Sequence, residues 1–213
     1  MTPGKRALDL GLALLLSVVL APLAAGVALM VARGRDGPLL YGSERMRSAA
    51  EGFTLWKFRT MAQGPDAGGV TGGDKAARIT PAGRRLRRAR LDELPQLWNI
   101  LTGEISFVGP RPPLRRYVEM FPDLYARVLH ARPGVTGLAS LVYAAHEERI
   151  LAACPTPEAT EAAYVRRCIP RKAALDLIYQ RNRTLWLDLK LIGWTAARFL
   201  PRSIRPTRKG RPL

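Results

Sequence analysis

The chain has 213 residues, with 34 Lys and Arg against 17 Asp and Glu, a formal net charge of +17. This length predicts one compact domain with its own core, and the arginine-rich charge favours partners that carry phosphate, such as nucleic acid, anionic lipid or sugar nucleotides. The two cysteines, Cys154 and Cys168, form no CxxC pair and lie far from any histidine at metal-ligand spacing, which argues against a disulfide framework and a zinc site.

An apolar segment begins shortly after the N-terminus. Residues 10–32 contain no charged side chain and are long enough to enter a bilayer core. Lys5 and Arg6 precede this segment and Arg33 follows it, so the positive-inside rule assigns both ends to the cytoplasm. Pro22, near the centre, removes a backbone donor and would kink or break a helix. A plain span and a re-entrant helix-break-helix remain open, with a cleaved signal peptide as the less favoured alternative.

Two short strands and a loop are predicted next. Residues 39–41 and 53–58 are apolar and aromatic around a polar segment, which predicts a β-hairpin with a connection of roughly nine to eleven residues. Residues 63–75 are rich in glycine and aspartate and are expected to form a loop that acts as a flap over a site.

An arginine-rich helix then leads into a pair of acids. Thr80 and Pro81 are the N-cap and first residue of a predicted helix, and residues 84–90 (RRLRRAR) give it a basic face. Asp92 and Glu93 follow directly. Because nearby cations and a helix N-terminus favour ionised carboxylates, we expect Asp92 to be a ready anion that can attack phosphorus, with Glu93 holding a divalent cation. A structural N-cap with a first-turn acid is the alternative.

Two proline-containing turns follow the acids. Residues 109–113 (GPRPP) form a rigid turn that presents Arg111 with little conformational freedom, as suits a phosphate clamp; a solvent-exposed arginine is the alternative. In residues 132–137 (RPGVTG), the glycines permit positive φ and a close backbone approach to a ligand.

The C-terminal part is predicted to be helical. Residues 158–183 have helical composition, and residues 184–200 are apolar with Trp186 and Trp194 as interfacial-type aromatics. The latter helix would pack on the core or lie along the membrane surface. The basic tail, 201–213, is expected to be disordered and drawn to anionic headgroups.

Taken in order, these elements resemble the bacterial sugar transferase family, the monotopic phosphoglycosyl transferases, over almost the whole chain. No single motif would be specific, but the ordered set is. The matching segments, after the apolar run around Pro22, are 56–61 (WKFRTM), 91–101 (LDELPQLWNIL), 103–112 (GEISFVGPRP) and 132–137 (RPGVTG).

The resemblance implies transfer of a phosphosugar from a UDP-sugar to polyprenol phosphate, the first step of lipid-linked glycan synthesis. It also implies a mostly helical α+β monotopic fold at the cytoplasmic face of the bacterial inner membrane, in contact with membrane lipids. We expect a re-entrant helix in 1–36, a catalytic domain with a small hairpin and surface amphipathic helices in 37–200, and the tail in 201–213.

The resemblance further implies the roles of individual residues. Asp92 would be the nucleophile that becomes a phosphosugar ester, and Glu93 the acid associated with Mg²⁺. Substrate and phosphate binding is implied for motif members, namely Arg59, Arg87, Pro110, Arg111, Arg132 and Thr136. A membrane-anchored nucleic-acid-binding protein and a membrane phosphohydrolase are the competing hypotheses; under the transferase interpretation we expect no nucleic-acid partner.

Overall fold

The computed structural model describes residues 1–34, 37–62 and 78–198. As predicted, the described chain is mostly helical with a small antiparallel hairpin. The predicted flap at 63–75 and the tail at 201–213 lie outside the described residues. The helices are α1 (Pro3–Arg33), α2 (Pro81–Arg88), α3 (Gln96–Leu101), α4 (Arg115–Met120), α5 (Pro122–Val128), α6 (Leu138–Val142), α7 (Ala144–Ala152), α8 (Pro157–Ala163), α9 (Ile169–Asn182) and α10 (Leu185–Ala197). The strands are β1 (Leu40–Met46), β2 (Gly52–Phe58), β3 (Ser106–Val108) and β4 (Gly134–Thr136).

Helix α1 is one continuous helix, so the break predicted at Pro22 is not present as an interruption of helical conformation. Pro22 lies inside the helix, which continues in both directions from it. A proline removes a single intrahelical hydrogen bond, and the residues on either side of Pro22 remain helical. The helix starts at Pro3 because the Thr2 hydroxyl caps it, accepting a hydrogen bond from the backbone N–H of Lys5 at 3.3 Å, and Pro3 suits the first turn. By length and composition, α1 is long and apolar enough to cross a membrane.

The first turns of α1 are bonded to the rest of the domain. The Lys5 ammonium lies 2.6 Å from the Asp188 carboxylate on α10, and the Arg6 guanidinium donates to the last carbonyls of α3, at Ile100 and Leu101. Asp9 is buried and accepts a hydrogen bond from the backbone N–H of Phe107. These contacts explain why charged residues occur at the start of an otherwise apolar helix.

The last turns of α1 also pack on the domain. Val27 and Val31 are buried in a cluster with Phe58 of β2 and Leu86 of α2. The residues between the two packed ends include large apolar side chains that are exposed, namely Leu14, Leu15, Val18, Val19 and Leu23. Both ends of α1 therefore rest on the same domain, and its middle carries an uncovered apolar surface.

The hairpin has longer strands and a shorter connection than predicted. β1 and β2 pair antiparallel from Leu40 opposite Phe58 to Met46 opposite Gly52, which leaves 47–51 as the turn. The prediction of a nine- to eleven-residue connection was wrong because polar residues of the predicted loop, such as Ser43 and Arg45, pair with β2 as part of β1. They belong to the strand and line a cavity, so their polarity reflects a site rather than solvent.

The second sheet is a parallel pair, with Ser106 opposite Gly134 and Val108 opposite Thr136. At its end two backbone segments cross very closely, since a Cβ on Gly134 would lie 2.2 Å from the Gly109 nitrogen. The expectation that the glycines of 132–137 allow approach to a ligand was wrong: they allow approach to another backbone. Neither Gly134 nor Gly137 has a positive φ.

The predicted C-terminal helices are present. α8, a π-helical turn (Tyr164–Cys168) and α9 follow without a gap. The π-turn ends just before Pro170, which lies in the first turn of α9 and has no N–H to donate to the preceding turn. α10 packs through Asp188 and Leu191, yet Trp186 and Trp194 remain exposed. The helix thus has both a core-facing side and an apolar outer side.

Candidate active site

Asp92 and Glu93 lie in a short 3₁₀ turn (Leu91–Glu93) between α2 and α3. The chain enters this turn through Arg90, which has a φ of 57° and is the only non-glycine residue with positive φ in the described part of the chain. Such a conformation is uncommon outside glycine and is often found at functional sites. Leu91 and Leu94 pack towards the cluster at the end of α1. The sequence Leu-Asp-Glu-Leu thereby turns its apolar ends to α1 and its acids inward.

The Glu93 carboxylate is the centre of a cationic cluster. Its Oε1 lies 3.2 Å from the Lys57 ammonium, 3.0 Å from Arg90 Nη1 and 3.1 Å from Arg111 Nη2. Burial acts to raise the pKa of Glu93, but the three cations outweigh it and hold the pKa far below its usual range. Glu93 is therefore ionised at neutral pH.

The Asp92 carboxyl lies in a different environment from the one predicted. It is only 6% exposed, and its buried Oδ1 has no hydrogen-bond partner among the described residues. Burial, and then the negative charge of Glu93, raise the pKa of Asp92, although Lys57, Arg87 and Arg90 oppose this. The expectation of a pKa lowered by cations was wrong in direction, because the cations are bound to Glu93 and burial dominates at Asp92.

Lys57 is a site residue that the sequence argument did not single out. It projects from β2, and its side chain is 19% exposed. Burial and the nearby Arg111 lower the pKa of Lys57 to about 8, against the opposing effect of Glu93 and Asp92. Its position in the strand gave the available signal, since a lysine within a run of apolar strand residues has to find a charged partner when buried.

A cavity of about 610 Å³ opens beside the two acids. On its α2 side it is lined by Arg59, Thr60 and Arg87. The Arg87 Nε donates to the Thr60 hydroxyl at 2.8 Å, and the Arg59 Nε donates to the carbonyl of Pro38 at 2.9 Å. Both predicted arginines thus line the same cavity as Asp92, and among the described residues these hydrogen bonds hold them there through neutral oxygen acceptors.

Arg111 also lines this cavity, as predicted from its proline-rich turn. The ion pair with Glu93 raises the pKa of Arg111 and fixes the guanidinium beside the acids. Arg45 of β1, a partly buried cation, also lines the cavity. Burial, and then the positive charge of the nearby Arg111, lower the pKa of Arg45 to about 10. The alternative of a solvent-exposed surface arginine at position 111 is not supported by these contacts.

Three of the predicted substrate-binding residues do not line the cavity. Pro110 is fully buried, and its carbonyl accepts the backbone N–H of Gly134 at 2.8 Å. The Arg132 guanidinium donates to the carbonyl of Gly103, and the Thr136 hydroxyl is 2.7 Å from that of Thr195 on α10. Their contacts join the parallel sheet to its neighbours, which is a scaffolding role.

The acids are compatible with a divalent cation in a limited way. Glu93 supplies an ionised carboxylate, a hard oxygen ligand of the kind Mg²⁺ prefers, and Asp92 supplies a buried oxygen without a partner among the described residues. The described chain contains no group of three or more His, Cys, Asp or Glu residues that would hold a metal. A magnesium ion here would take its other ligands from substrate phosphates and water, as is common for this ion.

Other site residues were also missed by the sequence argument. Asn99 is fully buried and spans from α3 to β2: its Oδ1 accepts the Trp56 N–H at 3.1 Å, and its Nδ2 donates to the Thr54 carbonyl at 2.8 Å. It thereby fixes the strand that carries Lys57. Tyr164 and Asp176 line the cavity from the C-terminal helices, and only their position in the fold, not a motif, reveals them.

Comparison with known proteins shows similarity to sugar transferases along almost the whole chain. A family described as bacterial sugar transferase matches residues 2–202. The chain is 37% identical to a UDP-glucose:undecaprenyl-phosphate glucose-1-phosphate transferase of Caulobacter vibrioides, over 88% of this chain and 66% of the relative. It is 29% identical to a UDP-N-acetylgalactosamine-undecaprenyl-phosphate N-acetylgalactosaminephosphotransferase of Aeromonas hydrophila, over 88% of this chain and 41% of the relative. An exopolysaccharide production protein PSS of Rhizobium leguminosarum is 35% identical, over 93% of this chain and 96% of the relative.

Proposed function

Because the chain belongs to the bacterial sugar transferase family, we propose that it transfers a sugar phosphate from a UDP-sugar to polyprenol phosphate through a covalent intermediate on Asp92. The chain spans about two thirds of the Caulobacter relative and about two fifths of the Aeromonas relative, so the substrates in their names support the proposal for this chain by similarity.

The Asp92 carboxylate is the observation that carries the proposal. A buried acid oxygen without a hydrogen-bond partner among the described residues is costly for folding alone, and here it lies in a cavity with Arg59, Arg87 and Arg111. This combination of an unsatisfied carboxylate and surrounding cations suits nucleophilic attack on a phosphorylated substrate.

The reaction would proceed in two displacements at one phosphorus atom. In the first, an oxygen of ionised Asp92 bonds to the sugar-bearing phosphorus, the bond from that phosphorus to the bridging oxygen breaks, and UMP leaves with the electron pair. In the second, a phosphate oxygen of the lipid bonds to the same phosphorus, and Asp92 is released as a carboxylate. Covalent catalysis divides one difficult transfer into two easier ones.

The cations of the site would make these steps possible. A diphosphate repels an attacking carboxylate, and Lys57, Arg87 and Arg111 would offset that charge while they orient the phosphates. Glu93 would hold Lys57 and Arg111 in place, together with Arg90, through its ion pairs, and the Thr60 hydroxyl would hold Arg87. A bound Mg²⁺, with Glu93 as a protein ligand, would supply further neutralisation of phosphate charge.

We also propose that α1 enters and leaves the membrane on one face, the cytoplasmic face of the bacterial inner membrane. Ala13 and Val27 are both buried against the domain, although a straight helix would separate them by about 21 Å. A helix that crossed the hydrocarbon core, about 30 Å thick, would carry its two ends to opposite faces, and one domain would then not contact both. The exposed residues from Leu14 to Leu23 would form the inserted surface, so that a lipid phosphate meets the cavity at headgroup depth.

The proposal is tested by nucleotide release from the full-length protein in lipid nanodiscs. A panel of UDP-sugars is supplied with and without undecaprenyl phosphate, and both UMP and the lipid product are measured. We expect sustained UMP release and a lipid-linked sugar diphosphate only when both substrates are present, and at most one UMP per protein molecule from the donor alone. UMP release that yields free sugar phosphate whether or not lipid is added would instead identify a phosphohydrolase.

A further inference from the structure

The cavity extends beyond the catalytic acids to a second region, on the side of α9. This region, the α9 side, is lined by Tyr125, Val128, Ala139, Tyr164, Lys172 and Asp176. None of these residues takes part in the two displacements described above. They form a mixed surface of two tyrosines, small apolar groups and a pair of opposite charges, unlike the arginines of the α2 side.

Asp176 is the most unusual member of this region. It is 7% exposed, and burial raises the pKa of its carboxyl to about 7 despite the opposing charge of Lys172. Within the described chain, the hydrogen bond to its carboxylate comes from the backbone N–H of Ala139. Two carboxyl oxygens offer about four acceptor positions, so Asp176 retains capacity to bind hydroxyl donors in the cavity.

Lys172 and Tyr164 complete the polar surface. The Lys172 ammonium donates to Glu147 at 2.9 Å and to the Tyr164 hydroxyl at 3.3 Å, and it lies 5.0 Å from the centre of the Tyr164 ring. Tyr164 begins the π-turn between α8 and α9, a local distortion that is frequent at functional sites. The α9 side therefore offers hydrogen-bond donors, acceptors and an aromatic ring.

The order of the two displacements decides which part of the donor would lie there. In-line attack places the leaving UMP phosphate opposite Asp92, and the lipid phosphate that later displaces Asp92 must approach from that same position. This position needs positive charge and access from the membrane. The α2 side offers the charge through Arg59 and Arg87. It also lies near the membrane helix, because the adjacent Phe58 and Leu86 pack against the end of α1. The sugar ring, which stays in the site through both steps, is left for the α9 side.

Building on the proposed function, we propose that Tyr164, Lys172 and Asp176 bind the hydroxyl groups of the donor's sugar ring and thereby determine which UDP-sugar is used. Carboxylates and ammonium groups bind vicinal hydroxyls through paired hydrogen bonds, and a site built on such bonds strongly rejects analogues that lack the matching group. The relatives are named for different sugars, glucose and N-acetylgalactosamine. These sugars differ in their ring substituents, which are the groups that this region would contact.

The test compares binding of the sugar with binding of the nucleotide. The UDP-sugar that the wild-type protein uses fastest is chosen from UDP-glucose, UDP-galactose and their N-acetylated forms. KM for that donor and the inhibition constant of UMP are then measured for wild type, Asp176→Asn and the exposed control Glu158→Gln. We expect Asp176→Asn to raise KM about tenfold or more, because a neutral amide replaces a charged acceptor and one carboxylate oxygen becomes a donor. The UMP constant should stay unchanged within about twofold.

The two constants distinguish a role of Asp176 in sugar binding from a role in nucleotide binding or in the fold. Equal increases in KM and in the UMP constant would overturn the sugar assignment in favour of the nucleotide or a general structural role, and an unchanged KM would overturn it as well. If Asp176→Asn fails to fold, Lys172→Gln is judged by the same two constants. A wild-type protein that releases no UMP from any donor would instead reject the proposed function itself.

Discussion

The Lys57 ammonium lies 3.2 Å from Glu93 Oε1, the same oxygen that Arg90 and Arg111 reach at 3.0 and 3.1 Å. A single carboxylate oxygen thus holds three cations beside Asp92. Donors fixed in advance need no reorganisation when charge develops on a phosphate, and this preorganisation is often the largest contribution to catalysis. The arrangement separates the two neighbouring acids into different roles: Glu93 organises the cations, while Asp92 is left without their hydrogen bonds.

The first prediction concerns pH. Burial and Glu93 raise the pKa of Asp92, so kcat/KM should fall as the pH decreases through this raised value, because protonated Asp92 cannot attack phosphorus. Lys57 has its pKa lowered to about 8, so kcat/KM should also fall as the pH rises above about 8 and Lys57 loses its charge. The expected profile is bell-shaped and reports on the free enzyme.

Lys57→Arg is the matched variant for the alkaline side of this profile. Arginine stays charged throughout the accessible pH range, so the decline above about pH 8 should disappear while the acid side remains. An alkaline decline that persists unchanged in this variant would assign it to another group.

A second prediction concerns Glu93 and magnesium. Glu93→Gln removes the charge that holds three cations and that would ligate Mg²⁺. We expect the Mg²⁺ concentration for half-maximal UMP release to rise about tenfold or more, as is typical when a group of the metal environment is lost. Titration of Mg²⁺ after treatment with a chelator measures this, and the exposed Glu158→Gln serves as control. An identical titration curve for Glu93→Gln would leave this residue with the electrostatic role alone.

A third prediction concerns Arg111. Its removal takes away a fixed donor beside the acids and one partner of Glu93, and Arg111→Ala should lower kcat/KM about 100-fold. Arg115→Ala is a suitable control, because Arg115 is four residues away and pairs with the exposed Glu44 at the surface. Equal effects of the two substitutions on UMP release would return Arg111 to the class of surface arginines.

A fourth prediction tests the path of α1. Single cysteines are placed at Thr2 and at Leu39 in a protein whose partly buried Cys154 has been replaced by serine. Sealed vesicles are then treated with a membrane-impermeant maleimide. Both ends of α1 pack on one domain through Ala13 and Val27, so both cysteines should be labelled from the same side. Labelling from opposite sides would establish a plain membrane span.

The sequence was a good guide to elements with local signals. Thr80 caps α2 through the backbone N–H of Gly83 at 2.9 Å, with Pro81 in the first turn, as predicted. The acids and the arginines at positions 59, 87 and 111 share one cavity, as expected from motifs that are far apart in the chain. Such features are encoded by capping preferences, charge and motif order, which are visible in one dimension.

Features that depend on tertiary contacts could not be predicted from the sequence. The pKa of Asp92 depends on burial and on which acid binds the cations, and neither follows from the order of residues. The polar residues of β1 looked like loop because their cavity was not visible, and Arg132 looked like a ligand for phosphate although it bonds to the Gly103 carbonyl. Asp176 belongs to no local motif and gains its meaning only from the packing of α9.

The covalent intermediate is tested most directly by the intact mass of the purified protein after incubation with its UDP-sugar in the absence of polyprenol phosphate. We predict an added mass of one sugar phosphate that localises to Asp92, disappears when lipid acceptor is supplied, and is absent in Asp92→Asn, whose UMP release should fall at least about 1,000-fold. The exposed control Asp123→Asn should form the adduct normally. An Asp92→Asn protein that still transfers sugar phosphate to lipid, together with a wild type that shows no adduct, would contradict the mechanism.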